Sequence, residues 1–411
     1  MKHILYLILT VTFFACNRAS SYNFPVDVDT RTKDIRVQKK QTWSFPETGL
    51  TVDNEFDGAR LNELRRDDDT SYTVTINPEN EPINQSPWYA MRFVSDRDQT
   101  ITVRLTYPPG VHHRYFPKVS TDRKVWAPAD STSVKPGPGQ FSADVRLTLA
   151  EGEPLYLAGQ EVINSADVKE WLETLSRKHG DVMAGFYVGE SKLGRNLEAY
   201  RIGEGEMDDR PTIVLLSRQH PPEVTGFLCL QAFLDGVLEH PRRDEFFTKY
   251  QLLVYPLLNP DGVDLGHWRH TAGGIDSNRD WAKYRQPEVR KVANNIVKLT
   301  KESRSDVVLG IDFHSTYKDV YYTHNDKVQP PTALPGFKDA WLAAIARGIG
   351  GGFRINEEAE PIGKPTSMSW FRTQFGAEGI TYEIGDGTDR AFVRKKGIVS
   401  ADALINVLLA R

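Results

Sequence analysis

Thr212-Ile213-Val214-Leu215-Leu216-Ser217, continued by Arg218-Gln219-His220-Pro221-Pro222-Glu223, is the stretch that decides the fold. Its first half reads as a continuous apolar strand, and a helical pattern runs from Glu223 to about Glu239. A strand without polar alternation is covered on both faces, as in sheets flanked by helices. The same texture recurs in Leu252-Leu253-Val254-Tyr255-Pro256-Leu257, in Val307-Val308-Leu309-Gly310-Ile311-Asp312-Phe313 and in Gly379-Ile380-Thr381-Tyr382-Glu383. An amphipathic helix from Ser165, its predicted N-cap, to about Lys178 opens this part, and a helix from Val399 to Arg411 closes it. The alternation predicts an α/β domain over residues 159–411, with a mixed, mostly parallel sheet and helices on both faces.

Upstream the pattern changes. Ser71 to Asn77, Trp88 to Val94 and Thr100 to Leu105 are short runs with two-residue alternation, separated by Pro, Gly, Asn and Asp clusters. Such runs predict an all-β sandwich over residues 44–158. Residues 17–43 are polar and aperiodic and read as a tether. At the start, Lys2 and His3 precede an apolar run from Ile4 to Ala15. It is too short to span a bilayer but has the length of a secretory signal core, so residues 1–16 are expected to be a signal peptide. Phe13-Phe14-Ala15-Cys16 resembles a bacterial lipoprotein cleavage box, with Phe13 where leucine is usual. In that reading the chain is exported to the periplasm or cell envelope and a lipid on Cys16 attaches it to a membrane. In the other, the signal is plainly secretory and the cysteine incidental. The second cysteine, Cys229, lies in an apolar helical stretch and reads as a small buried hydrophobe.

A length of 411 residues exceeds what one core usually holds. With 39% apolar and 26% charged residues, two cores and a soluble surface can be built. The net charge of −4 argues against a nucleic-acid partner, which would call for a basic face.

The chemistry gathers where apolar strands end. His220 follows one strand and Glu223 opens the next helix; HxxE alone is common by chance. His314 follows the strand ending at Phe313. Open α/β sheets place their sites beyond the carboxyl ends of strands. Two histidines and a glutamate from two such ends form a His2Glu set, which leaves a fourth zinc position free and so marks a catalytic site. Downstream of Asn259-Pro260-Asp261-Gly262, a loop carries Trp268-Arg269 and Asp276-Ser277-Asn278-Arg279-Asp280-Trp281. An arginine fork suits a carboxylate. Glu383, at a strand end before a glycine turn, is a candidate general base.

In this order, HPPE, NPDG, WR, GxDxNRDW, FHS and TYE resemble the zinc carboxypeptidases of the carboxypeptidase A superfamily, whose archetype is itself a type case of His2Glu zinc ligation. The resemblance spans roughly Ser165 to Arg411. Phe56 to Leu61, Trp88 to Phe93 and Lys118 to Trp126 look like the β-domain that precedes the catalytic domain in the cytosolic-carboxypeptidase-like subgroup. The resemblance implies the metallocarboxypeptidase fold and one zinc ion per chain, held by His220, Glu223 and His314. It implies Arg269 as the group that polarises the scissile carbonyl, Asn278 and Arg279 as the grip on a substrate's terminal carboxylate, and Glu383 as the base. The substrate it implies is a peptide or protein C-terminus.

Two positions depart from the family. No tyrosine occurs between Tyr322 and Tyr382, where a mobile one is usual, and Thr316 stands where pancreatic members carry tyrosine. The side-chain pocket is expected near Gly363 to Met368, where Lys364 or Arg372 would favour an acidic terminal residue. An amino-acid deacylase, a peptidoglycan stem-peptide peptidase and a non-catalytic binding lipoprotein remain as alternatives.

Overall fold

The computed structural model describes residues 18–325 and 330–411; the predicted signal segment with Cys16 lies outside them. The β-rich part comprises β1 (Thr42–Phe45), β2 (Leu50–Asp53), β3 (Glu63–Arg66), β4 (Ser71–Thr75), β5 (Ala90–Ser95), β6 (Gln99–Thr106), β7 (Lys118–Ser120), β8 (Ala127–Pro128), β9 (Val134–Pro136), β10 (Ser142–Leu149) and β11 (Leu155–Ala158). They form one sheet in the order β1-β2-β5-β11-β7-β8 and a second in the order β3-β4-β6-β10-β9. Alternation decides which face is inside: in β4, Tyr72 and Val74 are buried, while Ser71, Thr73 and Thr75 are half-buried. A single core takes Val52, Phe93 and Leu157 from the first sheet and Tyr72, Val103 and Val145 from the second. The two sheets therefore pack face to face as the predicted sandwich.

The α/β part contains α1 (Ser165–Lys178), β12 (Met183–Glu190), β13 (Asn196–Ile202), β14 (Thr212–Ser217), α2 (Val224–Leu238), α3 (Arg243–Phe247), β15 (Gln251–Tyr255), α4 (Pro260–Asp264), α5 (Pro287–Ser303), β16 (Val307–Thr316), β17 (Val320–His324), α6 (Phe337–Ile349), β18 (Glu357–Glu360), α7 (Ser367–Phe375), β19 (Glu378–Gly385) and α8 (Arg390–Leu409). The sheet order is β12-β13-β15-β14-β16-β19-β17-β18. Its centre, β15-β14-β16-β19, is parallel. The flanking pairs β12-β13, β13-β15 and β17-β19 are antiparallel. Along β14, Ile213 and Leu215 enter the core under α2 and α8, whereas Val214 and Leu216 enter the core under α5 and α7. That two-sided burial is why the strand carries no polar alternation.

Several boundaries differ from expectation. Asn164, not Ser165, caps α1, in a reciprocal capping box with Asp167. The final helix begins at Arg390 because the Asp389 side chain accepts the Phe392 N–H, nine residues before the apolar run that suggested it. β16 continues to Thr316 in register with β19, so that His314 pairs with Glu383 inside the sheet. Residues 18–41 form no helix or strand, and little of this stretch hangs free as a tether. Ala19 N–H donates to Asn294, Val26 N–H to the Gly363 carbonyl and Lys33 N–H to the Gly273 carbonyl, while Gln286 donates to the Thr30 carbonyl. Backbone-mediated docking needs no side-chain period, so the sequence carried no sign of it.

Candidate active site

Parallel strands β14, β16 and β19 bring their carboxyl ends to one edge of the sheet. Beyond β14 the chain turns sharply, with Arg218 in the left-handed region at φ 52°, and His220 and Glu223 follow before α2. The start of α2 presses on β16: a Cβ at Gly226 would lie 2.3 Å from the His314 carbonyl oxygen. Only glycine allows Glu223 and His314 to come together this closely.

His220 Nδ1 lies 2.7 Å from Glu223 Oε1, and His314 Nδ1 lies 2.6 Å from Glu223 Oε2. All three side chains are buried, and their ligand atoms lie within 4.8 Å of one another. Each ring has a carboxylate behind it: Asp276 Oδ1 is 2.9 Å from His220 Nε2, and Asp312 Oδ2 is 2.8 Å from His314 Nε2. A carboxylate behind Nε2 keeps the ring proton there and presents Nδ1 as the metal donor. Two imidazoles and a carboxylate, each histidine oriented by an aspartate, fit a zinc ion. Burial opposes the charge on Glu223, but His220 and His314 outweigh it and hold the carboxyl well below the usual range. Burial would lower His314; Asp312 and Glu223 reverse that and raise it well above the ordinary histidine range.

A cavity of about 240 Å³ opens over these groups, and all seven residues named from the sequence line it: His220, Glu223, Arg269, Asn278, Arg279, His314 and Glu383. Arg269 is 7% exposed, and its Nε donates to Asp276 Oδ2 at 2.8 Å. Asp276 thus binds an arginine and a histidine at once, and its Oδ1 also accepts the Asn278 N–H at 2.9 Å. Asn278 Oδ1 accepts the Ser367 N–H at 2.8 Å, and the Arg279 guanidinium donates to the Asn278 carbonyl at 2.7 Å. On β19, Glu383 Oε2 is out of contact with water and has no hydrogen-bond partner among the described residues. Burial and the Glu223 carboxylate push Glu383 up to about 8, against the pull of His314, Arg269 and Arg114.

Tyr322 and Thr316 also line the cavity. Of the two cations expected in the side-chain pocket, Lys364 borders it. Arg372 does not: it is buried on α7 and donates to the Pro330 carbonyl.

Sequence reasoning missed four groups. Asp312 and Asp276 lie two residues before His314 and Asn278, a spacing that places Asp312 on the same strand face as His314 and could have flagged it. Arg114, from the β-rich part, lines the cavity and donates to Asp386 Oδ2 at 2.8 Å. Glu79, also from the β-rich part, accepts the backbone N–H of Arg269. No spacing in the sequence announces either of these two.

The zinc carboxypeptidase family model matches residues 168–395. The chain is 27% identical over 306 residues to an uncharacterized protein of Zymomonas mobilis, covering 70% of this chain and 71% of that one. It is 26% identical over 155 residues to mouse cytosolic carboxypeptidase 6; the match covers 36% of this chain and only 29% of the mouse protein. A metallo-carboxypeptidase structure from Burkholderia cenocepacia superposes with a TM-score of 0.74 over 88% of this chain and 99% of that one. At 16% identity that likeness concerns the fold. With the metal triad assembled and more than half its length matched by the family model, the chain belongs to the zinc carboxypeptidase family.

Proposed function

We propose that the chain removes the C-terminal residue of peptides or proteins, with His220, Glu223 and His314 holding zinc. The observation that carries this reading is that the metal triad, the Asn278–Arg279 pair and Glu383 open on one cavity of about 240 Å³. Zinc bound there supplies Lewis acidity towards water and a carbonyl oxygen. Arg279 and Asn278 hold the substrate's terminal carboxylate, which brings the last peptide bond over the triad. Glu383 takes the proton of the attacking water and delivers it to the leaving amine. Arg269 donates to the carbonyl oxygen as it gains negative charge, a contribution typically on the order of 3–4 kcal/mol.

Peptides with free and amidated C-termini test this directly. The free form is cut and the amidated form is not, and cleavage of the free form vanishes when zinc is removed by a chelator and returns when it is restored. Equal cleavage of the two forms contradicts the reading.

The proposal extends to three finer points. Lys364 at the cavity rim supports acceptance of an acidic terminal side chain. Lys364→Met should lower kcat/KM for a glutamate-terminated peptide by about 1.5- to 5-fold relative to an alanine-terminated one, as for one exposed charge pair; an unchanged ratio removes Lys364 from that role. The boundary between the two parts is placed between β11 and α1. Export with lipid on Cys16 rests on the N-terminal pattern alone, and mass spectrometry of the mature N-terminus tests it: an unmodified Cys16 overturns it. Among the described residues no helix is long and apolar enough to cross a membrane.

A further inference from the structure

Glu79 lies in the loop that follows β4, in the β-rich part, and is fully buried. Its Oε2 accepts the N–H of Trp268 at 2.7 Å, and its Oε1 accepts those of Arg269 at 3.0 Å and His270 at 2.7 Å. One carboxylate therefore holds three consecutive backbone donors of the loop that carries Arg269. Its neighbour Asn80 extends the grip: Asn80 Oδ1 lies 2.6 Å from His270 Nδ1, and Asn80 Nδ2 donates to the Gly274 carbonyl at 2.9 Å. The Trp268 ring sits in the core of the sandwich and donates to the Trp88 carbonyl at 3.2 Å.

The charge on Glu79 is supported. Burial opposes it, but His267, Arg60 and His270 outweigh burial and hold the carboxyl below its ordinary value. Arg60 is itself buried and donates to the Asn77 carbonyl of the same loop at 2.9 Å. Only a carboxylate satisfies this cradle. An amide of the same shape turns one acceptor into a donor that faces an N–H, and the buried loop must then shift.

The Arg269 side chain is thus fixed at both ends. Asp276 holds its guanidinium, and Glu79 holds the backbone from which it starts. We propose that Glu79 is a positioning residue for Arg269, so that the β-rich part completes the active site through the loop beneath the oxyanion-stabilising arginine. This rests on the role proposed for Arg269 above. Misplacement of a catalytic group by about 1 Å costs up to ~100-fold in rate, whereas the terminal-carboxylate grip at Asn278 and Arg279 lies outside the cradle.

The test is a double-mutant cycle on the full, zinc-loaded chain with Glu79→Gln, Arg269→Ala and the double variant, measuring kcat, KM, zinc content and Tm. Glu79→Gln is expected to lower kcat by ~10- to 100-fold with KM within about 2-fold and zinc retained, and to add nothing once Arg269 is gone. A kcat within about 2-fold of wild type despite a lower Tm overturns the proposal, as do losses that multiply in the double variant. If Arg269→Ala alone leaves kcat intact, the role of Arg269 fails and the proposal with it, an outcome distinct from failure of Glu79 alone. Should Glu79→Gln not fold, Asn80→Ala loosens the same loop: a smaller loss confined to kcat supports the proposal, and unchanged kcat in the folded variant overturns it.

Discussion

The eight-stranded sheet and the β-rich part meet at one cleft but hold their groups by different means. On the sheet side, His220 follows β14, and His314 and Glu383 sit opposite each other in register on β16 and β19. Backbone hydrogen bonds fix them to the same frame as the core. On the β-rich side, Glu79 and Arg114 come from loops, and long-range side-chain bonds hold them against residues 190 and 272 positions away. The metal triad and Glu383 are built on or beside strand register, while Arg269, the group proposed to meet developing charge, is braced from the neighbouring sandwich. The β-rich part is then a wall of the site and a support for it.

The largest break in that arrangement is expected at Arg114. Its ion pair with Asp386 is buried on both sides, with side chains 6% and 9% exposed. Burial already lifts Asp386 to about 6 despite the pull of Arg114. Arg114→Ala leaves the carboxyl without its partner and pushes it higher still. Above that value an unpaired charge is buried, at a cost of about 3–5 kcal/mol; below it the carboxyl is protonated and the cost shrinks. Urea unfolding should therefore show a large loss at pH 8 and a smaller one at pH 5. Equal losses at both pH values mean that Asp386 is not the group left unpaired.

On the sheet side, Arg279→Ala is expected to raise KM for peptides with a free C-terminus by about 10- to 100-fold, as loss of a charge-assisted bond worth ~1.5–3 kcal/mol. Zinc content and Tm should hold, and steady-state kinetics with zinc analysis checks both. An unchanged KM moves the carboxylate grip elsewhere.

The smallest effect sharpens the contrast in the β-rich part. Tyr107 Oη and His113 Nδ1 lie 2.8 Å apart, and burial lowers His113 to about 4. Below pH 6.5 the unfolded histidine takes up a proton that the folded one refuses, so stability is lost as pH falls from about 6.5 towards 4. His113→Asn should flatten that slope by on the order of 1 kcal/mol per pH unit, read from unfolding curves across the window. An unaltered slope assigns the acid sensitivity to other groups.

What the sequence made legible follows the same division. The sheet and its triad could be read because unbroken apolar runs mark doubly covered strands, and a histidine shortly after such a run lies near the strand's carboxyl end, although β16 runs on two residues past His314. Arg269, Asn278 and Arg279 were found as parts of a loop pattern, and the cavity brings them together with the triad. Asp276 and Asp312 were in view without a role: the two-residue spacing puts Asp312 on the face of His314, but only distance shows that each carboxylate meets a ring nitrogen. Glu79 sits in Asn77-Pro78-Glu79-Asn80-Glu81-Pro82, which reads as turn chemistry until its partners near Arg269 are known. Residues 18–41 were legible only as aperiodic, because their contacts run largely through the backbone.

The decisive variant for the proposed base is Glu383→Gln in the zinc-loaded chain, with metal content and peptide turnover measured on the same sample. The account predicts one zinc per chain and a kcat lower by about 10²- to 10⁴-fold, the range for loss of a general base. A kcat within a few-fold of wild type with zinc bound would contradict it.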